Sequence, residues 1–427
     1  MRILFITYYF PPYNTIAAVR TGKTAKILYE MKHDIKVVTS AVSQTSEGLQ
    51  LEIPQANIYV SKWISLTAFI KNKLKLNDFI FSNTEQKQDF NLVRIIKKGI
   101  INIIKKLYIT FLNTPDDTYF TRRYAIKECN KIIKSWRPDI IYASAGPYTS
   151  LIIASKISQK HKIPYVGELR DLWVDNHYNK TTFIDTILEK KTLSKASALV
   201  TVSAPLVSIL QAKYPNIKSY EIRNAFDSSD FQLEKNAVIN DNKIKIVHTG
   251  DLYEGKRDPT ILFECIAKSD YLKENVICSF YGTNSSFIKI LAKKYNIEDC
   301  IKIFPRVARK EALLNQMESD ILLLLTWNNP HEKGIFTAKL FEYIGTAKPI
   351  LTIGANQDVA AECIMENGFG LASNDPKEIE SFIKECKTPQ FIKKISESYT
   401  KNREKFERKI QVEKLNTIFE SVSEKLN

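Results

Sequence analysis

Cysteine is sparse and unpaired in this sequence: Cys129, Cys265, Cys278, Cys300, Cys363 and Cys386 are dispersed over 427 residues, with no C-x-x-C pair. That spacing indicates neither a zinc cluster nor a disulfide framework, and predicts reduced, buried thiols in a cytoplasmic protein. Long apolar runs are missing too. No stretch approaches the ~20 apolar residues of a membrane span, so any membrane contact is expected to be peripheral. The opening MRILFITYYFPP is too short for a signal peptide, has no small-residue cleavage site after its apolar run, and reads as a first strand. No G-x-G-x-x-G follows it, so the dinucleotide-binding fingerprint is absent. Neither an internal repeat nor a low-complexity tract interrupts the chain.

What is present is ordinary globular material, 44% apolar and 26% charged, long enough for two domains that each bury a core. The net charge of +15 and pI near 9.2 predict attraction to phosphate-rich partners: anionic lipid, nucleic acid or a nucleotide-bearing substrate. The segment 94–112, RIIKKGIINIIKKLYITFL, places Ile96, Ile100, Ile103, Ile104, Leu107 and Phe111 on one stripe, with Lys97, Lys98, Lys105 and Lys106 largely off it. Such a helix fits an anionic leaflet, each lysine adding roughly 1 kcal/mol of attraction; a core-packed helix with a solvated lysine face has the same pattern. Nucleic acid fits less well, because the basic residues alternate with isoleucine rather than stacking aromatics.

The pattern of elements alternates strand and helix. Strands are predicted over 2–9, 34–40, 139–143, 164–168, 198–203 and 219–222, with helices over 15–31, 148–159 and 205–214 between them. A polar, weakly patterned stretch at 224–242 reads as the interdomain linker. The alternation then restarts, with strands at 243–248, 276–281, 301–304, 321–325 and 349–353 and helices at 258–268, 287–295, 310–318 and 359–367. Residues 391–426 read as one continuous amphipathic helix returning to the first domain. Two parallel, doubly wound α/β domains are therefore expected, 1–226 plus 405–427 and 227–404, each binding ligands at the carboxyl ends of its strands. Tyr8, Tyr9, the turn at 144–147, Arg170, Asp171 and Ser203 all fall at such ends.

The stretch 334–349, GIFTAKLFEYIGTAKP, follows the apolar strand at 321–325 and organises the second domain. Gly334 permits a turn, Thr337 is placed to cap a helix over 338–344, and Gly345 and Pro349 close it. A helix start at the mouth of a parallel sheet is a diphosphate site. Glu342, one turn on from Lys339, presents a carboxylate to a vicinal diol such as a ribose; a surface pair between the two fits the spacing equally well. Tyr281 and Gly282 are placed to line the same site. His248 ends a strand and reads more readily as a satisfied core histidine than as a ligand.

In this order, ILFITYYFPP, RPDIIYAS, GELRDLW, EIRNAFD, VHTGDLYEGKRDP and TAKLFEYIGTAKPIL resemble the retaining GT-B glycosyltransferases of family 4, also called group 1. The likeness spans nearly the whole chain and is greatest to bacterial members that build capsule, lipopolysaccharide or other surface polysaccharides. The resemblance implies a GT-B fold, with two Rossmann-like domains facing across a cleft and a C-terminal helix crossing back. It implies a nucleotide diphosphate sugar as co-substrate and no other cofactor. The acceptor it implies is a saccharide carried on a lipid, met at the inner face of the cell membrane. Glu342 matches the ribose-binding glutamate, the amides of residues 335–338 (with Ile335, Phe336 and Thr337) face the diphosphate, and the loop carrying Arg306 and Val307 receives the base. Lys256 and Arg257 match cations on the leaving diphosphate, and Gly250 allows the backbone to approach it. Tyr13, Asn14, Arg170 and Asp171 fall on the acceptor side, where a structural Arg–Asp pair is the competing reading.

Three positions depart from the family. Gly334 stands where the first of two glutamates belongs, Asp251 where an arginine is common, and residues 14–18, NTIAA, where a glycine pair follows Pro-Pro. The second departure moves the phosphate role onto Lys256 and Arg257. No Asp-x-Asp occurs, so a bridging metal ion is not expected, and cations plus a helix N-terminus would stabilise the leaving diphosphate. Two other readings share the pattern: a nucleotide-sugar 2-epimerase, and a membrane-associated scaffold subunit with a degenerate site.

Overall fold

The computed structural model of the chain describes residues 1–40, 48–65, 114–176, 181–233, 243–252, 255–282, 285–328, 334 and 336–424. The basic stretch at 94–112 and Ile335 lie outside the described residues. Two compact units emerge, one of Met1–Thr201, Leu206–Glu221 and Leu415–Asn427, the other of Val202–Pro205 and Ile222–Lys414.

The first unit runs β1 (Arg2–Thr7), α1 (Ile16–Glu30), β2 (Asp34–Ser40), β3 (Ile58–Ser61), α2 (Arg122–Ser135), β4 (Ile140–Ser144), α3 (Thr149–His161), β5 (Tyr165–Leu169), α4 (Phe183–Leu193), β6 (Ala198–Thr201), α5 (Ala204–Lys213) and β7 (Ser219–Glu221). Its seven strands are parallel in the order β3-β2-β1-β4-β5-β6-β7. β4 and β5 are buried at every residue, as a central parallel strand covered on both faces must be. Thr15 caps α1 by accepting from the Ala18 amide at 3.2 Å, as its position before the apolar repeat predicts.

The second unit repeats the plan: β8 (Ile244–Thr249), α6 (Thr260–Lys268), α7 (Asp270–Asn275), β9 (Val276–Tyr281), α8 (Ser285–Lys294), β10 (Ile301–Phe304), α9 (Arg309–Met317), β11 (Ile321–Leu325), α10 (Ala338–Thr346), β12 (Ile350–Ile353), α11 (Val359–Asn367), β13 (Gly370–Ala372), α12 (Pro376–Glu385), α13 (Pro389–Asn402) and the start of α14 (Arg408–Glu424), whose residues from Leu415 on belong to the first unit. Its parallel sheet has the order β10-β9-β8-β11-β12-β13. In both sheets the order turns outward on either side of the first strand. The crevice between first and fourth strands is thus the topological switch point, where open α/β sheets bind ligands. Among the described residues no helix is long and apolar enough to cross a membrane.

Three expectations are corrected. The tail is not continuous: α13 and α14 are separated by a 3-10 turn at Glu404–Phe406. There the backbone pairs with the stretch read as a linker, Phe226 donating to Phe406 O and Arg408 donating to Phe226 O at 3.2 and 2.7 Å. That stretch is correspondingly ordered around Phe226, which is 4% exposed, and a 3-10 turn at Ser228–Phe231. Finally, Gly345 does not close α10. The helix continues to Thr346 and ends on Ala347 in the left-handed region at φ 58°.

Gly345 is instead a packing residue: a Cβ there would sit 2.3 Å from Phe231 Cζ and 3.0 Å from Phe226 Cβ. Gly345→Ala therefore has opposed terms. Helix propensity alone favours alanine by about 1 kcal/mol, whereas overpacking costs about 1–3 kcal/mol. We expect packing to win and the melting temperature to fall; a rise would show that the Phe231 ring gives way.

Candidate functional site

At the switch point of the second unit, the chain leaves β8 through Gly250, whose φ of +109° suits glycine. The Gly250 amide donates to Tyr281 O at 2.7 Å, and a Cβ on Gly282 would lie 2.4 Å from Gly250 O, so the loops after β8 and β9 approach backbone to backbone. Tyr281 stacks on Phe304 with ring centroids 4.5 Å apart and its hydroxyl donates to Asn315 Oδ1 at 2.8 Å. Arg306, exposed, pairs with Asp251 at 3.1 Å, and Val307 is half-buried beside it.

Across the crevice, α10 begins at Thr337, which has N-cap backbone angles but makes no side-chain cap bond. Its Oγ1 is buried and has no hydrogen-bond partner. The predicted cap position is therefore right, but the Thr337 side chain does not serve the first-turn amides. Phe336 turns into the core, 5.5 Å from the Phe341 ring. Gly334, at φ +95°, accepts from Ser203 Oγ at 2.5 Å.

Lys339 lies over Gly250, its Nζ 2.6 Å from where a Cβ would stand. It is 3.4 Å from His248 Nε2, and this replaces the surface pair with Glu342 that the spacing allowed. His248 is 1% exposed, and its Nδ1 is 2.9 Å from the Leu323 carbonyl. A carbonyl only accepts, so Nδ1 carries the proton and Nε2 accepts from Lys339. Burial, then the Lys339 charge, hold the imidazole pKa well below its usual value. His248 is thus a satisfied core histidine with one nitrogen turned to the site. Burial, then Arg257, push the Lys339 pKa down to about 8, against the pull of Asp251 and Glu342. Lys256 projects over the Trp327 ring, 4.4 Å from its centroid. Lys339 therefore lies over Gly250 within the field of Arg257, and an anion bound beside Lys339 would relieve that repulsion.

Glu342 faces Arg309, whose Nη2 is 3.4 Å from Glu342 Oε1 and 2.9 Å from Asp230 Oδ2. Arg309 escaped the sequence reading. It opens α9 at the end of β10, and nothing local to it signals a partner 33 residues on.

The equivalent place in the first unit is already filled. Asp116 accepts from the Thr149 amide at 2.9 Å and Thr149 Oγ1 at 2.7 Å, and from the Thr118 amide and hydroxyl at 3.1 and 2.6 Å. The N-terminus of α3, which follows that unit's fourth strand, thus receives a carboxylate, while among the described residues none is bonded to that of α10. Arg170 turns inward, donating through Nε and Nη2 to Ala145 O at 2.9 and 2.5 Å and through Nη2 to Gly146 O at 3.2 Å. It braces the turn after β4 instead of pairing with the exposed Asp171. Tyr13 meets Tyr9 edge to face at 5.0 Å, and Tyr9 and Trp63 meet Tyr8 at 5.0 and 5.2 Å. Asn14 is exposed beside this aromatic row.

Neither a protein-family model nor a curated protein matches the sequence. Solved structures do match in fold. Sucrose-phosphate synthase from Thermosynechococcus elongatus is 9% identical over 99% of both chains, with a TM-score of 0.64. HepE from Anabaena, in complex with UDP and glucose, is 15% identical over 99% of this chain and 100% of that one, with a TM-score of 0.59. A UDP-N-acetylglucosamine 2-epimerase is 13% identical over 97% and 93%, with a TM-score of 0.52. The chain thus has the α/β fold of two Rossmann-like units that these proteins share.

Proposed function

We propose that this chain is a glycosyltransferase of the family 4 type, moving a sugar with retention from a nucleotide diphosphate sugar to a lipid-linked saccharide acceptor in bacterial surface-polysaccharide synthesis. The observation that carries the reading is the uncapped start of α10 beside Lys339 and Arg257, at the switch point of a sheet, whereas the matching helix of the first unit is self-capped by Asp116. HepE, which shares the fold, was solved with UDP and glucose, and this supports the donor class.

In this reading the diphosphate lies on the α10 amides and Thr337 Oγ1, with Lys339, Arg257 and Lys256 as its cations. Glu342, steadied by Arg309 through Oε1, offers Oε2 to the ribose diol, and the loop of Arg306 and Val307 takes the base. The anomeric C–O bond to the phosphate breaks and a C–O bond to the acceptor hydroxyl forms on the same face. The bonding pair leaves on the phosphate oxygen, which then takes the acceptor proton. The cations and helix terminus stabilise that charge as it develops. The acceptor side falls to Tyr13, Asn14 and Asp171 in the first unit, with Arg170 holding the turn beside them. We place the protein in the cytoplasm at the inner face of the membrane, with residues 94–112 as one contact to anionic lipid.

A thermal-shift panel of nucleotide sugars tests the donor. At a hundred times its dissociation constant, a ligand of the folded state adds about 2.7 kcal/mol, a rise of several degrees. Arg257→Ala is expected to weaken nucleotide affinity and transfer about tenfold or more; unchanged values for both remove Arg257 from the site. The epimerase fold match keeps one other reading alive, and incubation with nucleotide sugar alone separates them: conversion without an acceptor means epimerisation.

A further inference from the structure

Helix α4 carries its charge asymmetrically. Its two acids are buried and bonded inward: Asp185 accepts from Trp173 Nε1 at 3.1 Å and from the Thr182 amide and hydroxyl at 2.8 Å, closing a capping box. Glu189, 2% exposed, takes the Val174 amide at 2.7 Å, Tyr214 Oη at 2.8 Å and Lys213 Nζ at 2.6 Å. The outward stripe at i, i+4 and i+7/i+8 is Phe183, Ile187, Lys190 and Lys191. Phe183 is 67% exposed and Ile187 59%, and both lysines are exposed. The basic ground continues onto neighbouring helices: burial, then Arg122 of α2 and Lys191 of α4, lower the pKa of Lys156 of α3. Helix α3 contains no acidic residue at all.

From this face, in which two bare apolar side chains stand beside lysines whose own acids are turned inward, we infer that α4 docks the first unit on an anionic bilayer surface. Phe183 and Ile187 dip into the interface while Lys190, Lys191 and Lys156 meet lipid phosphates. A nucleic-acid groove would engage the cations and leave Phe183 and Ile187 in water, so the apolar pair decides for lipid. None of these residues belongs to the stretch 94–112. It adds a contact to the membrane association proposed above and is independent of glycosyl transfer.

The test is co-sedimentation of the full chain with vesicles of phosphatidylcholine alone or of phosphatidylcholine mixed with phosphatidylglycerol. Wild type is expected to bind the anionic vesicles only. Lys190→Gln/Lys191→Gln should lower the partition coefficient about fivefold per lysine, and Phe183→Ser/Ile187→Ser about tenfold or more. All should keep the wild-type melting temperature, because the positions are exposed. Lys293→Gln/Lys294→Gln on α8, which removes the same charge from the second unit, should bind as wild type. Four results overturn the inference: variants on α4 that bind undiminished, an α8 control that loses as much, variants that lose oligonucleotide binding but keep vesicle binding, or no vesicle binding by wild type. The last sinks membrane association altogether, whereas the first sinks only α4.

Discussion

Lys339→Met should reduce transfer from a nucleotide diphosphate sugar by about 10²–10³-fold in kcat/KM, the loss seen when one preorganised donor to a developing oxyanion is removed. Methionine keeps the length and most of the volume of the side chain, so the change is in charge. The ammonium is held at a fixed place, above Gly250 and 3.4 Å from His248 Nε2, and His248 is itself fixed by its bond to Leu323 O. Its pKa of about 8 in the free protein also gives a pH signature. In the proposed site Lys339 would be protonated below pH 8 and able to bind the diphosphate; as pH rises through 8 it loses the proton and affinity should fall, toward tenfold per unit. A bound diphosphate raises the pKa, so the fall in kcat comes at higher pH than the fall in kcat/KM. The methionine variant should be weak and flat over the same range. Folding is not at stake: burial disfavours the ammonium, so the variant should melt at the wild-type temperature or above it. A wild-type profile that is flat from pH 7 to 9.5, or a variant that keeps its decline, would remove Lys339 from the site.

The elements themselves were legible because apolar runs bounded by turn residues leave little choice of boundary. The strands at Asp34–Ser40, Val276–Tyr281, Ile301–Phe304 and Ile321–Leu325 fall on their expected limits. What was misread depends on contacts distant in sequence. Gly345 looks like a helix stop, and only the Phe231 ring and the Phe226 Cβ against it show why glycine stands inside the helix. Residues 391–426 have one helical period throughout, but pairing of Phe226 with the backbone around Phe406 interrupts it. The candidate site divides the same way. Thr337 and Lys339 stand out from local spacing and Gly250 from the resemblance, whereas the side chains that contact them or Glu342, His248 for Lys339 and Arg309 for Glu342, are 91 and 33 residues away. Asp116 shows the converse: its carboxylate closes the N-terminus of α3 from a loop 33 residues earlier, and no local pattern at α3 reveals it.

The second large effect concerns stability. Arg20 of α1 and Glu168 of β5, 4% and 1% exposed, meet at 2.6 Å through Nη2 and 3.1 Å through Nε, and Ser144 Oγ donates to the other carboxylate oxygen at 2.5 Å. Burial by itself would raise the Glu168 pKa; the Arg20 guanidinium, its hydrogen bonds and Ser144 outweigh it and hold the pKa at about 2. A carboxyl depressed below its unfolded value stabilises the fold above that value and ceases to do so as pH falls toward the folded one. For Glu168 the window is from about pH 4.5 down to about 2, and the contribution is roughly 3 kcal/mol. Glu168→Gln keeps the shape but leaves Arg20 charged and uncompensated in the core, at a cost of about 3–5 kcal/mol. In a unit of this size that lowers the melting temperature by roughly 10 °C. Because most of that cost is the stranded charge rather than the lost pair, Arg20→Met/Glu168→Leu should recover much of it, a non-additivity that a double-mutant cycle measures directly. The single variant should also lose part of the steep acid unfolding between pH 4.5 and 2. A single variant that melts within 2 °C of wild type, or a double variant as unstable as the sum of its parts, would mean that solvent reaches this pair and that the first unit is held together without it.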